Sequence, residues 1–161
     1  MKTGLLAIAD IDAAVIILGT FPGEESLATQ HYYAHPRNLF WDMMEEICGA
    51  GRQHPYEIRC QILRKNRIAV WDVIQACERE GSADSRIKRA VANDFSAFFA
   101  AHQCRTLFFN GKMASALFAR HVDPCCFESS ALFALPSTSP ANAGMTRNEK
   151  TGLWLKITEF M

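Results

Sequence analysis

AVIILGTFPG (Ala14–Gly23) runs a block of apolar residues straight into a turn bounded by Gly19 and Gly23. A short apolar run without alternation reads as a strand buried on both faces, as in a parallel sheet. The signature recurs at Ile68–Trp71, Thr106–Phe109 (TLFF) and Ala131–Leu135 (ALFAL). Helical spacing fills the intervals. Phe40, Met43, Met44 and Ile47 recur at i, i+3, i+4 and i+7, behind a Pro36 that blocks entry from the left and an Asn38 suited to N-capping. YEIRCQILRKN places Ile58, Ile62 and Leu63 on one face, Asn93 precedes DFSAFFAAH as a cap, and Gly111 opens KMASALFARH. Leu153, Trp154, Ile157 and Phe160 close the chain at helical spacing. Strands alternating with helices predict an α/β fold with a largely parallel four-stranded sheet.

The bulk numbers set limits. A chain of 161 residues suits one domain, 1–161, with a real core. Seventeen Lys and Arg against seventeen Asp and Glu give no bulk charge, so any contact with nucleic acid falls to a local face. Asp10 and Asp12 interrupt the first apolar stretch, and no run reaches the ~20 residues of a membrane span. Six cysteines form no C-x-x-C pair and no zinc spacing with histidine, which predicts a reduced, cytoplasmic protein without a metal.

In open α/β sheets, ligands sit beyond the carboxyl ends of the strands. The segments that follow the four strands are GTFPGEES, DVIQ, NGK and PSTSPANAG. None is a phosphate loop or a dinucleotide fingerprint. Ser137, Thr138, Ser139 and Asn142 offer uncharged hydrogen bonds of the kind that hold phosphate oxygens. Asp72 and Asn110 each read equally well as turn residues. His35 has the chemistry of an acid–base group, and Lys112 is an amine at the start of a helix.

Taken together, GTFPGEESL, YYAHPRNLFW and LPSTSPANA resemble the uracil-DNA glycosylase superfamily. The nearest branch is the hypoxanthine-DNA (DNA-deoxyinosine) glycosylases, related to the mismatch-specific glycosylases. The resemblance implies a three-layer α/β/α architecture and a monofunctional, cofactor-free hydrolase. Such an enzyme flips a deaminated base, hypoxanthine and also uracil, out of double-stranded DNA and leaves an abasic site. It further implies a monomer that acts in the cytoplasm at the nucleoid.

Other branches place an Asn or Asp in the first loop to position the attacking water; here that residue is Phe21. The resemblance therefore assigns catalysis to Asn38. It assigns the base pocket to Gly19, Phe21, a stacking Phe40 and Asp72, which stands where relatives carry an asparagine that reads the base edge. It assigns the DNA backbone to Pro22, Gly23, Pro136, Ser137, Thr138 and Ser139. Leu135 and Ser139 stand where uracil enzymes have a histidine and an intercalating leucine. An Asp72 carboxylate would accept the lactam N–H of hypoxanthine and repel the N1 lone pair of adenine. A non-catalytic DNA- or nucleotide-binding module on the same scaffold is the alternative. A small hydrolase built on His35, Ser137 and Asp72 is a third.

Overall fold

A computed structural model describes residues 1–161. The strands β1 (Lys2–Thr3), β2 (Val15–Gly19), β3 (Ile68–Asp72), β4 (Ile74–Glu78), β5 (Lys88–Ala92), β6 (Thr106–Asn110) and β7 (Ala131–Leu135) are interspersed with six helices. These are α1 (Glu24–Thr29), α2 (Phe40–Cys48), α3 (Tyr56–Lys65), α4 (Phe95–Ala101), α5 (Lys112–His121) and α6 (Arg147–Trp154). The main sheet has four parallel strands in the order β3-β2-β6-β7.

Alternating residues of β2 sort the interior into two cores. Val15 and Ile17 face α2, α3 and α6, whereas Ile16 and Leu18 face α4 and α5. The result is the expected α/β/α stack. On the first side Phe40, Trp41, Met43 and Met44 of α2 are fully buried; on the second, Phe95, Phe98 and Phe118 pack as a cluster of aromatic rings. The edge strand β7 departs from burial on both faces, with Leu132 43 % exposed. Ile58 likewise faces solvent, and α3 buries Cys60 and Leu63 in its place. The α4 cap is Asp94, whose side chain accepts the Ala97 N–H. Asn93 instead donates from its side chain to the Asp72 carbonyl at 2.7 Å.

A second, antiparallel sheet, β1-β4-β5, differs from the expected loop after β3. The chain continues through Val73, with the Val73 and Ile74 N–H groups bonded to the Gly19 and Thr20 carbonyls at 2.9 and 3.0 Å. The turn after β2 is thereby gripped by the strand after β3. Register aligns Gly19 with Asp72, and Asn110 with Leu135. Within each pair, the two strands therefore end at one level.

Candidate active site

The loops beyond the carboxyl ends enclose a cavity of about 260 Å³. That is below the roughly 300–1,000 Å³ of pockets for drug-sized ligands and suits one small planar group. Of the expected site residues, Gly19, Phe21, Pro22, Gly23, Asn38, Asp72, Ser137, Thr138 and Ser139 line it. Phe40 and Pro136 do not.

Asp72 ends β3 and is 4 % exposed. Its Oδ2 has no hydrogen-bond partner. Burial, and then the neighbouring Asp84, push its pKa up to about 8, against the pull of Arg79. This surrounding favours the undissociated acid over the carboxylate expected to repel adenine. Gly19 lies directly opposite. A Cβ there would sit 2.5 Å from Asp72 Oδ1 and 2.9 Å from the Tyr33 hydroxyl, so only glycine leaves room for both.

Tyr33 is the residue that the sequence reading missed. It holds a left-handed backbone (φ 53°), uncommon for a bulky side chain, and such strain concentrates at functional positions. Its ring stacks on Phe40 with centroids 4.0 Å apart and planes at 19°, while its buried hydroxyl is unpartnered. Phe40 is 0 % exposed and is wedged edge-on against Trp41 and Trp154. Tyr33, rather than Phe40, borders the cavity. The Y-Y dipeptide ahead of Pro36 was the available signal, but the resemblance assigned the stacking ring to Phe40.

Asn38 stands at the entry to α2. Its Oδ1 accepts the Phe40 N–H at 2.9 Å in a local turn, but the N-cap of α2 is Leu39, which makes no side-chain cap, so Asn38 precedes the expected cap position by one residue. A carbonyl oxygen keeps a second lone pair, and Nδ2 has no protein partner. The Leu39 N–H donates to the Thr138 carbonyl at 3.0 Å, which ties this entry to the loop after β7.

That loop is held by Asn110. Its Nδ2 donates to Thr138 Oγ1 and its Oδ1 accepts the Thr138 N–H, each at 2.9 Å. Thr138 is fully buried, so it anchors the loop and is not exposed to DNA. Pro136 is fixed through its carbonyl, which accepts the Trp154 indole N–H at 2.9 Å. Ser137 and Ser139 each accept a backbone N–H two residues on, at 3.2 and 3.3 Å. Their hydroxyl protons are left to donate elsewhere.

The GTFPG turn is clamped from the β4–β5 hairpin. The side chain of Arg79 is fully buried, donates to the Gly81, Phe21 and Pro22 carbonyls, and lies 3.7 Å from Asp84. Its guanidinium covers the Phe21 ring at 5.0 Å, so that ring belongs to the core. Ser82 Oγ accepts the Glu24 N–H at 2.9 Å. His35 borders the cavity 3.9 Å from Glu25, whereas Lys112 is exposed and outside it. No group of three or more His, Cys, Asp or Glu is placed to hold a metal ion.

Comparison with known proteins bears on this arrangement. Residues 7–158 match the family model of the uracil DNA glycosylase superfamily. A hypoxanthine DNA glycosylase of Methanosarcina acetivorans is 35 % identical over 153 residues, 94 % of each chain. A protein of the same description from Methanosarcina barkeri is 33 % identical over the same extent. The solution structure of an M. acetivorans protein, described as a candidate uracil DNA glycosylase, superposes with a TM-score of 0.80 at 32 % identity. It covers 98 % of this chain and 97 % of its own. No helix is long and apolar enough to cross a membrane.

Proposed function

The chain belongs to the uracil DNA glycosylase superfamily, and on that premise we propose that it hydrolyses the base–sugar bond of deoxyinosine in double-stranded DNA, with uracil a second substrate. The observation that carries this reading is one small cavity that joins Asn38 to a buried, unpartnered acid and an aromatic ring. The description of the two Methanosarcina relatives as hypoxanthine DNA glycosylases supports hypoxanthine as the base.

The chemistry follows from these residues. A mispaired base is extruded at a cost of a few kcal/mol and enters beside Tyr33. An undissociated Asp72 offers a donor and an acceptor side by side. Its C=O accepts the N1–H of hypoxanthine and its O–H donates to O6; uracil presents the same pair at N3–H and O4. This is the pattern an asparagine would present, which reconciles Asp72 with the asparagine of related branches. An acid of this kind also pairs with adenine, so selection against adenine rests on its costlier extrusion from a matched pair.

Asn38 holds a water against C1′ through the free lone pair on Oδ1. The C1′–N9 electron pair leaves with the base, its charge spreads toward O6, and the Asp72 O–H stabilises it there. Water oxygen bonds to C1′ and its proton passes to solvent. The whole chain acts as one domain and a monomer in the cytoplasm, with Pro22, Gly23, Ser137 and Ser139 facing the DNA strand.

The test is a duplex with one deoxyinosine opposite thymine, incubated with protein in EDTA and then treated with alkali. Strand scission confined to the deoxyinosine position supports the reading. Duplex binding without abasic sites at deoxyinosine, uracil or xanthine replaces it with the binding module.

A further inference from the structure

Lys150 occupies a core position on an amphipathic helix. Together with Trp154, four residues on, it forms the buried face of α6, and it is 2 % exposed. Its ammonium donates one hydrogen bond, to the Asn142 carbonyl at 2.7 Å. It enters no ion pair. The charges closest in sequence are engaged elsewhere: Arg147 pairs with Asp42 at 3.4 Å, and Glu149 accepts the Thr146 N–H in a capping box. Burial lowers the Lys150 pKa, and no carboxylate opposes that shift.

The other buried cation makes a useful contrast. Arg79 has Asp84 and three carbonyls around it. Lys150 has one carbonyl for three donors. A buried charge is retained when a partner compensates it, and here the protein supplies no anion. The location says where one would come from. Asn142 closes the loop that begins at Ser137, to whose carbonyl its Nδ2 donates at 3.2 Å. Ser137 and Ser139 of that loop border the cavity.

We propose that Lys150 is the buried counter-charge for one DNA phosphodiester seated on the Ser137–Asn142 loop. The inference rests on the DNA glycosylase reading. The serine hydroxyl protons meet the phosphate, and the ammonium, bonded to the Asn142 carbonyl at the other end of the same loop, supplies the opposing charge.

The experiment measures binding of wild type, Lys150→Met and Lys150→Arg to a fluorescent duplex carrying an uncleavable 2′-fluoro-deoxyinosine, from 50 to 200 mM NaCl. Wild-type excision of ordinary deoxyinosine, assayed in parallel, reports on the underlying function separately. For Lys150→Met the slope of log affinity against log salt becomes shallower by about 0.9, the value for one phosphate. Its affinity falls several-fold at 50 mM and converges on wild type at high salt. Its single-turnover rate at saturating enzyme stays within about twofold of wild type. Lys150→Arg keeps the wild-type slope. A folded Lys150→Met with the wild-type slope, or one that loses rate with the slope unchanged, overturns the proposal and leaves Lys150 a loop support. Lys150→Gln, which is neutral but retains a donor, gives the same reading if the methionine variant fails to fold.

Discussion

At the scale of single residues, Asp72 and Asn38 make separable demands. Asp72 folds with its pKa raised to about 8 from an unfolded value near 4. Between those values the native state keeps a proton that the unfolded chain has lost. Asp72 therefore lowers stability progressively from about pH 4 to pH 8 and adds no further slope above that. Thermal melts of Asp72→Asn at neutral pH are expected to lie above wild type. Because the amide reproduces the donor and acceptor of the neutral acid, that variant also keeps substantial excision. Wild-type single-turnover rates decline above about pH 8, approaching tenfold per unit, while Asp72→Asn stays flat there. An Asp72→Asn enzyme with intact DNA binding and no excision would restore the carboxylate model. Asn38→Ala loses the turn bond to the Phe40 N–H, about 1 kcal/mol of stability, and, on the proposed mechanism, its hold on the water, on the order of 10²-fold or more in rate. Asn38→Asp keeps that bond. Matched melts and single-turnover rates separate the two effects.

Among the elements, the β4–β5 hairpin decides whether the turn after β2 is rigid. Arg79→Met leaves the Phe21 and Pro22 carbonyls and the Asp84 charge without their partner, and is expected to cost roughly 3–5 kcal/mol. Chemical denaturation reads that loss, and faster amide exchange at Glu24, the residue after the turn, localises it. Little of this hairpin was legible in the sequence. β1 has two residues and β4–β5 pairs through register shifts, so no clean alternation marks the sheet. The main sheet was legible because buried parallel strands are continuous apolar words, and the site because every such strand ends in a small or polar turn. The places that sequence reading lost depend on orientation. Period alone put Phe40 on the buried face, but nothing local showed that Tyr33 would twist into a left-handed conformation to cover it. Thr138, similarly, reads as a phosphate donor until Asn110 is found bonded to it.

For the molecule as a whole, neutrality and geometry set how DNA is met. With balanced charge and with Glu24 and Glu25 bordering the cavity, few phosphates can be neutralised at once. Affinity for undamaged duplex is expected to be weak at physiological salt, and titrations from 50 to 200 mM NaCl should show a shallow slope of only a few phosphates. A slope near ten would require an extensive basic face. Excision is also expected to persist undiminished in chelator, since the proposed reaction asks only for a placed water and a stabilised leaving base. The turn between the two sheets also limits which substitutions it can accept. Phe21 stands where other branches carry their water-positioning residue, yet its ring lies under Arg79 and inside the second core. Asparagine installed there by one substitution would exchange a core aromatic for a buried amide beneath Arg79. On the proposed reading, restoring a water-positioning residue at this turn asks for a refilled core as well as a new side chain.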